Sequence, residues 1–594
     1  MVAKLIDRFG GMVPAVDDRL IPDAAAALSR NTWLYSGKLM GIPTPKLLHT
    51  CVLSNCGRVF RLPKSYTDPK HFADSDWLEF SDVNTDVLRS PVVGDTFDRY
   101  YWASSSSSPK YNTRARITAG SPEFLLGIPA PSTPPGVSAS GGSSSVTDSR
   151  AYVTTWVSAY GEEGQPSPPT NLTGKIDDTW HITLPTPDAG DLGTNRNLTK
   201  VRIYRTVTAS TGQATFFFVA ELPIATASYD DTLSDTVVSE ASELESTNWS
   251  PPPSDLQGIT AMPNGMFVGF RGNELWFCEP YRPHAWPALY TITTEYPIIG
   301  LGVTGQTLIA CTQGFPTAFS GVNPASVTES KIQSFEPCES RGSILSSVEG
   351  VYYASPNGLI LCTAYGAINV TRTMLTKDKW QSLATLTTLR SARLGQAYLG
   401  FGSPRVGVFQ SNAFQSNAVP SQDFGDSRSG VLIDPTDARV AFNVLTSDDP
   451  TFNIFNDTWS GEIFIIRNNE VQWLDFADDA QPREPFLWRS KIFQTTQKKS
   501  FEALKIYFEV PDGTAPQNPV RDTDPVQTLA DDQYGIVRVY ADNNLKLTRE
   551  IRTSGELMRL PSGFKADFWQ FEIEARVNIF SFQVATSSKE LANV

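Results

Sequence analysis

Basic and nucleophile-poor chemistry is what this sequence has least of. It carries 49 Lys and Arg against 63 Asp and Glu, a net charge of −14, with no stretch that reads as a basic groove. Binding to nucleic acid through phosphate neutralisation is therefore not expected. An acidic surface keeps a chain soluble, and it also suits a conduit that DNA must pass without adhering. Only four histidines occur (His49, His71, His181 and His284), so triads and histidine metal centres have few candidates. His284 lies in the Pro-rich EPYRPHAWP, where a packed or solvated side chain is expected, not a catalytic one. No nucleophile elbow, HExxH, Walker A or dinucleotide-binding fingerprint stands in a suitable context.

Cysteine is scarce too. The six residues, Cys51, Cys56, Cys278, Cys311, Cys338 and Cys362, include no CxxC pair. Cys278 and Cys362 sit in apolar strand patterns, where buried free thiols are the default. His49, Cys51 and Cys56 bring three potential ligands together, but the spacing fits no zinc template, so no metal and no cofactor are expected. The opening MVAKLIDRFGG has no apolar core of a secretory signal, and no run of 18 apolar residues appears. An export signal and a membrane-spanning helix are thus not expected.

What is abundant is punctuation. The 41 Gly and 42 Pro are spread along 594 residues, as turns between many short strands would require. A chain this long needs several cores, at roughly 100–200 residues each. Asp23 reads as the N-cap of a short helix over Ala24 to Arg30. Residues 128–147, IPAPSTPPGVSASGGSSSVT, read as an extended linker. A compact strand pattern follows: AYVTTWVSAYGEEGQPSPPTNLT, KVRIYRT, TFFFVAELP and SYDDT. It fits a β-sandwich of fibronectin type III or immunoglobulin type, without the Cys…Trp…Cys signature. Residues 230–245, with six acids and no base, read as a second linker.

Three strand patterns then recur together. GITAM at 258 returns as IIGLG at 298, GSILS at 342 and RSARL at 390. GMFVGF at 265 returns as TLIACT at 307, VYYASP at 351 and AYLGFG at 397. ELWFCE at 274 returns as PTAFSG at 316, GLILCT at 358 and RVGVFQ at 405. The period stays between 40 and 48 residues, and a further copy is expected at Glu462 to Phe476. Several strands per repeat at this period predict a β-propeller. The expected fold is all-β: a propeller core, an inserted sandwich and a C-terminal β domain. The expected division is 1–130 for an N-terminal segment with the first blades and 148–245 for the sandwich. The remaining blades with tip insertions take 250–485, and the C-terminal domain 486–594.

Several segments, in order, resemble one family. They are FGGMVPAVDDRLIPDAAAALSRNTWLYSGKL at 9–39, DTFDRYYWASSSSSPKYNT at 95–113, LLGIPAPSTPP at 125–135 and the sandwich strands above. GNELWFCEPYRPHAWP at 272–287 and RLPSGFKADFWQFEIEARVNIFSFQVATSSKEL at 559–591 complete the set. Together they resemble the tail nozzle (tail tubular protein B) family of short-tailed bacteriophages, the podoviruses. The resemblance implies a structural virion protein, not an enzyme. It implies a homo-hexameric ring at the tail tip, below an adaptor ring of the tail tubular A kind, with docking surface for tail fibres or tailspikes. Genomic DNA would pass through the ring without sequence-specific binding, close to the host cell surface, and assembly would occur in the host cytoplasm.

The acid bias is regional. Residues 440–482 hold eight acids and one base, Arg467. Asp448, Asp449, Asp457, Glu462, Asp475, Asp478 and Asp479 are the candidate acidic channel-lining residues, where their charge would repel the phosphate backbone. The rival reading is a glycan-binding or glycan-hydrolysing propeller at the virion surface, which needs two carboxylates about 5–10 Å apart. NDTWSGE at 456–462 faintly resembles the Asp-box of sialidases, without the full pattern. Acid pairs such as Asp448–Asp449, Asp478–Asp479 and Asp531–Asp532 match no EF-hand loop and read as solvated turns. A receptor-like envelope scaffold is a third reading, and it would need an export signal.

Overall fold

The computed structural model describes residues 3–65, 67–208, 214–403, 428–436, 442–447, 453–477, 482–509 and 534–592. The chain is all-β, with its helices confined to short turns such as Arg114–Thr118 and Lys377–Leu383. It divides into two compact units, one of Asn84–Gln333 and one of Met1–Val83 with Ser334–Val594.

Besides a sandwich, the unit Asn84–Gln333 holds three four-stranded antiparallel sheets. The first contains Asp86–Arg89, Arg99–Ala103, Lys110–Thr113 and Phe124–Leu125. The second contains Gln257–Met262, Met266–Arg271, Glu274–Phe277 and Ile292–Thr293, and the third Ile298–Thr304, Thr307–Thr312, Thr317–Ser320 and Thr328–Lys331. Strand alternation explains how they stack. Phe267 joins Tyr101, Tyr111 and Trp286 in a core against the first sheet. Its neighbours Met266, Val268 and Phe270 point the other way, onto Leu308 and Phe319 of the third. A strand covered on both faces reads as an unbroken apolar run, which is why GMFVGF and TLIACT stand out in the sequence.

Between the first and second sheets lies a sandwich. One layer holds Gly136–Ser140, Thr179–Thr183 and Ser228–Asp231; the other holds Thr170–Lys175, Thr147–Ser158, Leu198–Thr208 and Ala214–Pro223. Both expected linkers are in part pieces of this domain. Gly136–Ser140 pairs along its length with Thr179–Thr183, and Ile128 is buried in the sandwich core. In the second, Ser234 caps the helix Asp235–Ser239, whose Val238 joins the same core. Pro and Ser content cannot exclude an edge strand when a neighbour supplies its hydrogen bonds.

The other unit repeats the scheme. Its fourth sheet is Leu345–Ser346, Val351–Ser355, Gly358–Thr363 and Gly366–Asn369. The fifth has the four strands Arg390–Leu394, Ala397–Gly402, Arg428–Ile433 and Phe442–Ser447, which form one end of a ten-stranded sheet. The sixth takes Asn453–Asn456, Ile463–Arg467 and Glu470–Leu474, and is completed by Lys46–Thr50 from far earlier in the chain. The recurrent segments at 258, 298 and 390, at 265, 307, 351 and 397, and at 274, 316 and 358 all fall on or overlap strands of these sheets. The copy at 342 begins on a single 3-10 turn and reaches its strand at Leu345. That at 405–410 lies outside the described residues. Asn468 and Asn469, both at positive φ, make the tight turn of the sixth sheet, a conformation Asn tolerates.

Residues expected to form a helix from Ala24 instead form the strand Ala26–Arg30. It pairs antiparallel with Phe486–Ser490 and, at Arg30, parallel with Val444 of the fifth sheet. Seven residues are too few to hold a helix without a tertiary partner, whereas pairing here joins two sheets. Asp23 caps no helix; it binds Lys4 and Lys491. The last part of the chain adds Ala566–Ala575, Gly535–Ala541 and Asn544–Glu550 to that sheet. A second sheet orders Ala3–Ile6, Asn578–Ala585, Ala503–Glu509 and Met558–Arg559. Trp488, Trp569, Phe571, Ile573 and Phe582 pack in the core these sheets share.

Candidate functional site

Of the seven candidate acidic residues, Asp448, Asp449, Asp478 and Asp479 lie outside the described residues. The other three cluster around the sixth sheet, and each has a cation. Asp457 is buried with Arg61: Nη2 and Nε of the guanidinium donate to its Oδ2 at 2.7 and 3.2 Å. The same oxygen accepts from the Ser460 backbone N–H at 3.0 Å and its hydroxyl at 2.7 Å, which closes the turn before Ile463–Arg467. Trp459 donates its indole N–H to the Arg61 carbonyl. The NDTWSGE segment is thus built as a turn anchored to the strand Arg58–Pro63. Asp475 is also buried, 3.1 Å from the Lys46 ammonium, which lies over the Trp473 ring. Glu462 is half-buried, 2.5 Å from Lys70, and accepts from the Trp473 indole at 3.1 Å. The charges of Asp457, Asp475 and Glu462 are each compensated by a neighbouring cation, so a repulsive field from the seven candidates would rest on the four that lie outside the described residues.

A second polar cluster is buried between the first sheet and the sandwich. Arg99 binds Asp95 at 2.8 Å and Glu162 at 2.6 Å, and His284 Nδ1 is 3.9 Å from Glu162. Burial pushes the Glu162 carboxyl above its ordinary value, opposed by Arg99. Burial, with Arg282 and Arg99 nearby, pushes His284 down to about 3, so its imidazole is neutral at physiological pH. It packs edge-on to Trp249. The sandwich has its own buried pair, Arg205 with Asp231 at 3.0 Å, both fully covered, and the Tyr152 hydroxyl donates to Asp231 at 2.8 Å.

Among the described residues, two surface clefts are lined by polar side chains. One, about 270 Å³, is lined by Lys4, Asp23, Lys491, Phe493, Lys499 and Phe571, with Asp23 its one carboxylate. The other, about 340 Å³, lies on the sandwich against Ser149, Arg150, Asn171, Thr173 and Thr206. Neither brings together the two carboxylates that glycoside hydrolysis requires.

All six cysteines are free and buried. Cys278, Cys311 and Cys362 are fully covered in strand cores. Cys51 and Cys56 differ: they share one buried cluster, His49 and Glu79 lie beside the Cys51 thiol, and the Cys56 thiol donates to the Arg58 carbonyl at 3.9 Å. His49 Nε2 is 2.8 Å from Glu79 Oε1, and Glu79 also accepts from the backbone N–H groups of Val52 and Leu53. Burial opposes ionisation of Glu79, but these hydrogen bonds outweigh it and hold the carboxyl below its usual range. The sequence could not signal Glu79, which arrives from the strand Ser75–Phe80. Among the described residues no helix is long and apolar enough to cross a membrane.

No family model matches the sequence. No curated protein matches it either. Among solved structures, PorZ, a surface component of the type-IX secretion system of Porphyromonas gingivalis, is similar at 10% identity and a TM-score of 0.26, over 88% of this chain and 53% of that one. A protein of unknown function from Desulfotomaculum acetoxidans is similar at 10% identity and a TM-score of 0.22, over 66% of this chain and 96% of that one. A glycoside hydrolase is similar at 10% identity and a TM-score of 0.11, over 77% of this chain and 99% of that one.

Proposed function

We propose that this chain is the nozzle subunit of a short-tailed phage virion, assembled as a homo-hexameric ring that extends the tail conduit. On this reading the six four-stranded sheets are propeller blades, and the sandwich is an insertion between the first and second. That insertion is the observation that carries the proposal. The strands Gly136–Ser140 to Ser228–Asp231 are spliced between two sheets of the repeat, the placement expected from the resemblance of the sequence to the nozzle family. Blades bury their faces on one another, so insertions are accommodated only in the connections between strands. Such a module adds docking surface for an adaptor ring or for tail fibres without disturbing the blade cores.

The polar groups support a mechanical role. Arg61–Asp457, Arg99–Glu162 and Arg205–Asp231 are buried pairs that fix one element against another. None of these pairs lines either cleft described above. Ring closure would come from heterologous contacts between copies. DNA would pass a wall of net negative charge, to which the acids at 448, 449, 478 and 479 would contribute. Assembly would take place in the host cytoplasm and the mature location would be the tail tip.

The test is the mass of the purified protein mixed with a candidate adaptor ring, by native mass spectrometry and particle averaging. Six copies around a hollow axis are the expected result. A monomer that ignores the adaptor and degrades cell-surface polysaccharide would overturn the reading in favour of a glycan-active propeller.

A further inference from the structure

We propose that His49, Cys51, Cys56 and Glu79 form a structural site for a divalent metal ion of the zinc type. Imidazole nitrogen, two thiolate sulfurs and a carboxylate oxygen are the donors from which four-coordinate zinc sites are made. His49 stands on the strand Lys46–Thr50, and Cys51 and Cys56 follow in the loop after it. The fourth, Glu79, is brought in by the hairpin of Arg58–Pro63 with Ser75–Phe80, where it lies opposite Val59.

The donors are gathered and held. The ligand atoms of His49, Cys51 and Glu79 lie within 4.8 Å of one another; Cys56, in the same buried cluster as Cys51, now donates its thiol to the Arg58 carbonyl at 3.9 Å and would turn from it to become the fourth ligand. Tetrahedral zinc with bonds of about 2.0–2.3 Å places its ligand atoms about 3.3–3.8 Å apart. The His49–Glu79 contact of 2.8 Å must open by roughly half an ångström, and the longest separations must shorten by about 1 Å, a change side-chain rotation supplies. The backbone is already fixed. Cys51 N–H donates to the Asn469 carbonyl at 2.7 Å, Cys56 N–H to its Oδ1 at 3.3 Å, and the Asn469 amide donates to the Ser54 carbonyl at 2.6 Å. Glu79 holds the same loop from the other side through Val52 and Leu53. The His49 ring is stacked on Trp77 with centroids 5.0 Å apart, which fixes its orientation. Phe72, Phe464 and Val471 wall the thiols from water.

Binding replaces two thiol protons with one ion: Zn2+ and two Cys–SH give a zinc bis-thiolate and two released protons, with His49 neutral and Glu79 ionised. The ion would tie the loop 51–56 to the strand Ser75–Phe80, next to the strand Lys46–Thr50 that completes the sixth sheet. A disulfide between Cys51 and Cys56 is the competing fate of the same thiols.

The experiment uses the full chain, freed of metal and titrated with Co2+ and with Zn2+. Sulfur-to-cobalt charge-transfer absorption with tetrahedral d–d bands, saturating at one ion per chain and abolished by Zn2+, is expected. The double variant Cys51→Ser, Cys56→Ser should bind at least roughly tenfold more weakly, while Cys338→Ala keeps full binding. Because the double variant can lose its fold, the wild type is also alkylated and mapped by mass spectrometry. Zn2+ should protect Cys51 and Cys56, and a chelator should expose them. Absence of the bands in folded wild-type protein, bands that persist in a folded double variant, or a Cys51–Cys56 disulfide that forms despite Zn2+ would each overturn the proposal. None of these results depends on whether the chain assembles as a ring.

Discussion

Replacing Asp457 by Ala is the sharpest probe of how this molecule is held together. The Arg61 side chain is fully covered and that of Asp457 is 2% exposed. Arg61 also donates to the Pro69 carbonyl at 2.5 Å and to the Ser75 hydroxyl at 3.2 Å, so the guanidinium cannot swing out to water without breaking the hairpin. Removing the carboxylate leaves a buried cation without a counter-charge and two Ser460 donors without an acceptor. Breaking a buried pair in this way costs about 3–5 kcal/mol. Asp457→Asn keeps an oxygen in place and should cost less, about 1.5–3 kcal/mol, the worth of a hydrogen bond to a charged group. The double change Arg61→Met, Asp457→Leu removes both charges and should recover most of the loss, since apolar replacements of buried pairs are often neutral. Hydrogen exchange at the amides of Arg58–Pro63 and Ser75–Phe80 reads the local opening free energy without requiring that the whole chain unfold in one step. Asp457→Ala should speed exchange there by about 140- to 3,700-fold, at 1.4 kcal/mol per factor of ten. An increase of less than about tenfold would refute the argument, because it would mean that the site is hydrated and the charge never desolvated.

Three further outcomes are expected. Unfolded His284 takes up a proton as pH falls below about 6.5, while the folded imidazole refuses it until about 3. Stability should therefore fall with pH in that window by about 1.4 kcal/mol per unit relative to His284→Gln; parallel pH-stability curves for the two proteins would contradict it. Glu162, whose raised value acts in the opposite direction, is present in both proteins. Tyr152→Phe should destabilise the sandwich by about 1–3 kcal/mol, because the buried Asp231 carboxylate loses a hydrogen-bond donor that water cannot replace; an unchanged denaturant midpoint of that domain would count against it. Gly258 has φ +69 and a Cβ there would stand 2.1 Å from Phe270, so Gly258→Ala should cost about 2–4 kcal/mol from backbone strain and overpacking combined. Melting curves check this, and a shift within error would show that the strand Gln257–Met262 relaxes freely.

The repeat was legible because its central strands are covered on both faces, which leaves unbroken apolar runs such as VYYASP and AYLGFG at a steady spacing. What escaped the sequence was pairing at a distance. Gly136–Ser140 has a linker's composition and becomes a strand because Thr179–Thr183 supplies its hydrogen bonds. Ala26–Arg30 has helix formers and becomes a strand because Phe486–Ser490 is its neighbour. The acids at 457 and 475 were found as a regional excess, but their cations, Arg61 and Lys46, lie some 400 residues away in sequence. Glu79 was invisible as a partner of His49 and Cys51 for the same reason. Local chemistry announces itself in a sequence, whereas the partner across a sheet does not.

The closing strand of the sixth sheet has a consequence in time. Lys46–Thr50 pairs with Glu470–Trp473, and Ala3–Ile6 pairs with Phe582–Ala585. A ribosome adding about 5–20 residues per second needs roughly 20–85 s to deliver the first of these partners and up to about two minutes for the second. Throughout that interval the early strands wait with their edges unpaired, while the sandwich, whose strands span fewer than 100 residues, can already be complete. A nascent chain built this way folds from its middle outward and seals its oldest segment last.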